Sequence, residues 1–82
     1  MRLDKYLKVS RLIKRRTVAQ EAASGERISV NDRIAKPSRD VKIGDVIEIR
    51  FGSHALKIRV LNTNEKARKE ESSEMYEVIE EG

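Results

Sequence analysis

The sequence predicts an α+β fold, with two to three short N-terminal helices packed on a small, mostly antiparallel sheet. Three observations carry this. Apolar residues recur at helical spacing through the first part of the chain. After Gly25 the pattern changes to strict alternation. Turn signals at Asn31-Asp32, Ile43-Gly44-Asp45 and Gly52-Ser53 then divide the alternating stretches.

Each element follows from its residues. Leu3 and Leu7, with Tyr6, predict a first helix, and Asp4 falls in its first turn, where a carboxylate favours the helix dipole. Ser10 is placed to cap or break it, and Arg11-Leu12-Ile13 reads as a second short turn. Thr17 and Gln20 match a capping box, which would open a helix carrying Val18, Ala19, Ala22 and Ala23. Gly25 is placed to end that helix as the left-handed residue. Ile28 and Val30 predict a strand that turns at Asn31-Asp32 and returns over Arg33 to Lys36, where Pro37 stops it. Val46 to Phe51 is the strongest strand, with Ile47, Ile49 and Phe51 on one face and Phe51 expected in the core. Leu56, Ile58 and Val60 predict the next. Residues 62–73 hold one apolar residue, Ala67, and read as a polar loop, a solvated helix or a mobile segment. Met75 to Ile79 predicts a last short strand before a frayed acidic end. The 82 residues make one domain, 1–82, with a binding core over 1–50 and C-terminal strands and an acidic tail over 51–82.

Charge is unevenly spread. Arg2, Lys5, Lys8, Arg11, Lys14, Arg15 and Arg16 give seven cations in the first 16 residues against Asp4 alone, while the whole chain carries +4. Folding does not need like charges crowded in this way, so a polyanion that neutralises them is the simplest partner, and a pI near 9.6 makes nucleic acid the leading class. A solvated charged face is the alternative. Asp4 can cap its helix or hold an arginine in a binding rotamer. Lys36 can reach a flanking phosphate or be an ordinary surface lysine.

Other chemistry is poorly supported. The chain has no Cys and one His, His54, so no disulfide, thiolate, metal cluster or Ser-His-Asp triad is expected. The C-terminal glutamates lie where burial cannot raise a carboxyl pKa. No Gly-rich fingerprint suggests a nucleotide cofactor. No apolar run approaches the roughly 20 residues that span a bilayer, and Leu3 and Leu7 make too narrow a face for a membrane-surface helix. A cytoplasmic, non-enzymatic binder with no cofactor is the expectation.

The segments RLDKYL, SRLIKRRT, GERISVN, AKPS and VKIGDVIEI, in this order and spacing, resemble the RNA-binding domain named after small-subunit ribosomal protein four, the S-four domain. The resemblance covers roughly residues 1–50. Among its short stand-alone members the chain is similar to the fifteen-kilodalton heat-shock proteins and, more closely over RLDKYLKVSRLIKRRT, to the RqcP family of ribosome quality control factors. That implies a protein that performs no chemistry, binds obstructed large ribosomal subunits carrying peptidyl-tRNA, contacts ribosomal RNA and tRNA, and supports RqcH-dependent alanine tailing of stalled chains. The free protein would be a monomer. A heat-shock-like recycling factor or a ribosome assembly factor is the alternative. Arg2, Arg11 and Arg16 match the family's basic positions, with Asp4 as an orienting partner. Lys5, Lys8, Lys14, Arg15 and Lys36 complete the expected RNA-binding set.

Overall fold

The computed structural model describes all residues, 1–82. Helix α1 spans Leu3–Val9 and α2 Arg16–Ser24. Strands β1 (Ile28–Val30), β2 (Arg33–Ile34), β3 (Val46–Phe51), β4 (His54–Val60) and β5 (Tyr76–Glu81) form one sheet in the order β2-β1-β3-β4-β5, every pair antiparallel. A 3₁₀ turn, Lys69–Glu74, precedes β5.

The core lies between the helices and one face of the sheet. Period-two alternation sends Ile28, Val30, Ile47, Ile49, Ile58 and Val60 inward, and all are buried. Leu3, Tyr6 and Leu7 cover them from α1, and Ala19 and Ala23 from α2. The alanines are small enough for the helices to approach each other closely. Each large aliphatic side chain buried here contributes about 1.5–3 kcal/mol relative to exposure.

Several sequence expectations need correction. The Thr17–Gln20 capping box does not form. Helix α2 starts two residues earlier than that cap would set it, at Arg16, behind Arg15, with no side-chain cap, and the Gln20 amide is engaged elsewhere. Gly25 has φ −81°, and the left-handed residue is Glu26 at φ 62°. The bonds Glu26 N–H to Ala23 O and Arg27 N–H to Ala22 O complete a Schellman motif around Glu26. Gly25 is explained by space instead, since a Cβ there would sit 3.1 Å from the Glu21 carbonyl oxygen. Arg11-Leu12-Ile13 does make the expected turn, continued by a bend, with Arg11 left-handed at φ 62°. Val18 is exposed. Phe51 continues the inward alternation of β3 but is 47% exposed, because β3 runs past the helices that cover its other half.

The C-terminal end is paired, not frayed. Glu81 faces Leu56 and Glu80 faces Lys57 in the β4–β5 ladder, and Gly82 exchanges two backbone hydrogen bonds with Ala55. Removing residues 80–82 is therefore expected to destabilise the domain by about 1–2 kcal/mol, since each lost backbone bond is worth about 0.5–1.5 kcal/mol. Thermal melting of the truncated chain checks this. A midpoint equal to the parent's would show the terminal pairing to be energetically silent.

Candidate RNA interface

The chain's opening segment is pinned before any site is built. The N-terminal ammonium donates to Asp40 at 2.9 Å and holds that carboxyl below its ordinary range. The first amides of α1 donate to the loop that follows β2, Leu3 N–H to Arg39 O at 2.8 Å and Asp4 N–H to Pro37 O at 3.1 Å. Those donors have no partner inside a helix, so the AKPS loop supplies what α1 lacks. It also brings Lys36 and Pro37 beside Arg2, around an open hollow of about 500 Å³.

Asp4 is the centre of the arrangement, fully buried although charged. Oδ1 accepts from the Lys5 backbone N–H at 2.8 Å and from Arg2 Nε at 3.2 Å. Oδ2 accepts from Gln20 Nε2 at 2.9 Å and from Arg2 Nη2 at 3.3 Å, so Arg2 grips the carboxylate with two prongs. Arg16 closes the cluster from α2, with Nη2 3.5 Å from Oδ1. Its Nε lies 3.3 Å from Oδ2, within ion-pair range, but is not aligned to donate. Burial pushes the Asp4 carboxyl up. The bonds from Gln20, Arg2, Arg16 and the Lys5 amide outweigh it and bring the pKa down to about 2.

The two arginines remain about half exposed, at 52% and 41% of their side chains. One buried anion thus fixes two guanidinium groups side by side at the surface, each with N–H donors left over. Planar forks held in this way suit phosphate oxygens or the face of an unpaired base. Gln20 belongs to the cluster, although the sequence did not point to it as a site residue. Its only signal was the Thr-x-x-Gln spacing, which suggested a cap.

The other expected residues divide into groups. Lys8, Arg11 and Lys14 line a second hollow with Val9 and Ala67, at the far end of α1, and no acidic residue lines it. Lys5 is ion-paired with Glu65 at 3.5 Å. Arg15 is exposed just before α2, and Lys36 lies by Arg2. His54 pairs with Phe51 at the opposite end of the sheet, away from all of them. No group of three or more His, Cys, Asp or Glu residues is placed to hold a metal ion.

The Asp4 cluster carries a pH dependence. Its folded-state pKa lies below the ordinary 3.8, so the stability it contributes is complete above that value and is lost as pH falls towards about 2. The loss should amount to about 2 kcal/mol. Melting curves between pH 5 and 2 should show a decline that Asp4→Asn flattens. An identical decline in that variant would remove Asp4 from the acid transition.

Comparison with known proteins finds relatives in sequence and in overall fold. Residues 1–47 match the model of the S4 domain. The RQC P-site tRNA stabilizing factor of Streptococcus pneumoniae is 56% identical over 81 residues, covering 99% of this chain and 92% of that protein. The protein of the same name from Listeria monocytogenes is also 56% identical over 81 residues, covering 99% of this chain and 88% of its own length. Among solved structures, the trimeric structure of Vibrio cholerae heat shock protein 15 superposes with a TM-score of 0.87 at 32% identity, covering 95% of this chain and 80% of that one.

Proposed function

The chain belongs to the S4 domain family, alongside the RQC P-site tRNA stabilizing factors, and on that premise we propose that it is a ribosome quality control factor that steadies a tRNA on the large ribosomal subunit. It binds obstructed large subunits that still carry peptidyl-tRNA and touches ribosomal RNA and tRNA together. It supports alanine tailing of the stalled chain by an RqcH-like protein on the same subunit. It carries out no chemistry itself, is a monomer when free, and acts in the cytoplasm. No helix of the fold is long and apolar enough to cross a membrane.

The observation that supports this best is the buried Asp4 holding Arg2 and Arg16 at one surface. Arg2 and Arg16, positioned by Asp4, read structured RNA through phosphates and shape, because A-form grooves are hard to read by sequence. Lys5, Lys8, Arg11, Lys14, Arg15 and Lys36 extend the interface and supply its salt dependence.

Affinity capture of the tagged chain tests the reading. Large-subunit RNA, tRNA and an RqcH-like protein should be recovered together. Recovery of small-subunit precursor RNA instead would assign the chain to ribosome assembly.

A further inference from the structure

The segment between β4 and β5 is a polar loop that ends in the 3₁₀ turn, not a solvated α-helix. Its two ends meet at one atom. The Met75 carbonyl oxygen accepts from Leu61 N–H at 2.8 Å, from Asn62 N–H at 3.2 Å and from the Tyr6 hydroxyl at 2.7 Å. Residues 62–74 therefore form a closed loop tied to α1 at its neck, of the compact kind that is frequently functional. The loop lies along α1. Glu65 pairs with Lys5, Ala67 packs on the core and lines the hollow of Lys8, Arg11 and Lys14, and Ser72 and Met75 are buried.

Three cations of this loop have no acidic partner within ion-pair distance. Lys66, Arg68 and Lys69 are exposed, and none takes part in an ion pair. They flank Ala67, whose side chain lies against the basic hollow. Four glutamates share the loop, Glu65, Glu70, Glu71 and Glu74, and none of them is ion-paired with these three cations. Glu65 is held by Lys5, and Glu71 accepts from the Arg68 backbone N–H at 3.4 Å. With about three residues per turn, Arg68 shares a face with Glu71 and Glu74, while Lys69 shares one with buried Ser72.

We propose that the loop over residues 62–74 is a second RNA-contacting element, in which Lys66, Arg68 and Lys69 extend the basic hollow of Lys8, Arg11 and Lys14 to grip a phosphate backbone. This rests on the RNA-binding reading above and deepens it. Because Met75 and Tyr6 fix the loop within the free fold, binding need not order it, which favours affinity. The hollow, about 220 Å³ and edged by three cations, is polar and open, as a phosphate track requires and an apolar peptide groove does not.

The test compares the parent, Arg16→Ala and the triple variant Lys66→Ala/Arg68→Ala/Lys69→Ala for binding to purified large subunits carrying peptidyl-tRNA, at several salt concentrations. The triple variant is expected to melt like the parent, bind about tenfold to a hundredfold more weakly, and show a salt slope reduced by about 2. A photoreactive side chain at position 68 should cross-link to RNA. If the parent binds and Arg16→Ala does not, yet the triple variant binds with the parent's affinity and slope, only the loop assignment fails. Cross-linking to a ribosomal protein alone also overturns it. If the parent itself does not bind, the RNA-binding reading fails, and the loop assignment with it.

Discussion

Asp4→Ala should be among the most destabilising single changes in this chain, costing about 2–4 kcal/mol, or a fall in Tm of roughly 10–30 °C. The carboxylate is fully buried and accepts from Arg2, Gln20, the Lys5 amide and Arg16. Deleting it leaves the Gln20 amide and the Lys5 N–H without their acceptor and frees two arginines that repel each other. The arginines are half exposed and can be re-solvated, which keeps the cost at the lower end of that for breaking a buried ion pair. Asp4→Asn separates stability from positioning. It retains the volume and one oxygen acceptor, so it should melt closer to the parent. Because neither guanidinium is then held by charge, RNA affinity should still fall about tenfold. A rise in affinity for Asp4→Asn would mean that Asp4 merely repels phosphate, and the positioning role would be wrong.

Arg16→Ala is expected to weaken binding to large subunits carrying peptidyl-tRNA by about tenfold to a hundredfold, the equivalent of about 1.5–3 kcal/mol for one charge-assisted hydrogen bond to phosphate. Arg2→Ala should behave alike, with a slightly larger stability cost, because Arg2 holds Asp4 through two prongs and Arg16 through one looser one. Both should lower the melting temperature by only a few degrees. Each should also flatten the salt dependence by roughly 0.7–0.9 for every phosphate that the arginine no longer neutralises. Affinity and melting measured on the same preparations check this. Weaker melting with unchanged binding would make the arginines structural only.

The parts legible in the sequence were those set by local periodicity. Helical spacing of Leu3 and Leu7, alternation in Val46–Phe51, and the Asn31-Asp32 turn with its two positive φ angles, 52° and 67°, all correspond to observed elements. The concentration of cations at the N-terminus was plain as well. The meeting of Asp4 with Arg16 and Gln20 was not, because separations of 12 and 16 residues have no meaning until α1 and α2 pack. Gln20 had a plausible local role as a cap, and a tertiary partner took it instead. Gly25 marked the helix end correctly, but the left-handed residue was its neighbour Glu26. Phe51 followed the inward alternation, yet alternation does not say where the covering helices stop. Residues 62–73 appeared unanchored because their anchor is a backbone carbonyl, that of Met75, which leaves no mark on side-chain patterning. The last strand was foreseen over Met75 to Ile79, but its continuation to Glu81 was hidden for a related reason, as its pairing with β4 is made by main-chain atoms.

If the surface built on Arg2, Asp4 and Arg16 recognises a large subunit with tRNA in place, affinity must depend on that tRNA. The most direct measurement compares affinities for large subunits that carry peptidyl-tRNA and for the same subunits stripped of it. The parent is expected to bind the tRNA-bearing particle at least about tenfold more tightly, a difference of about 1.4 kcal/mol. An Arg2→Ala/Arg16→Ala double variant is expected to lose most of its binding to that particle. Equal affinity of the parent for both particles, with the double variant binding as well as the parent, would contradict this recognition.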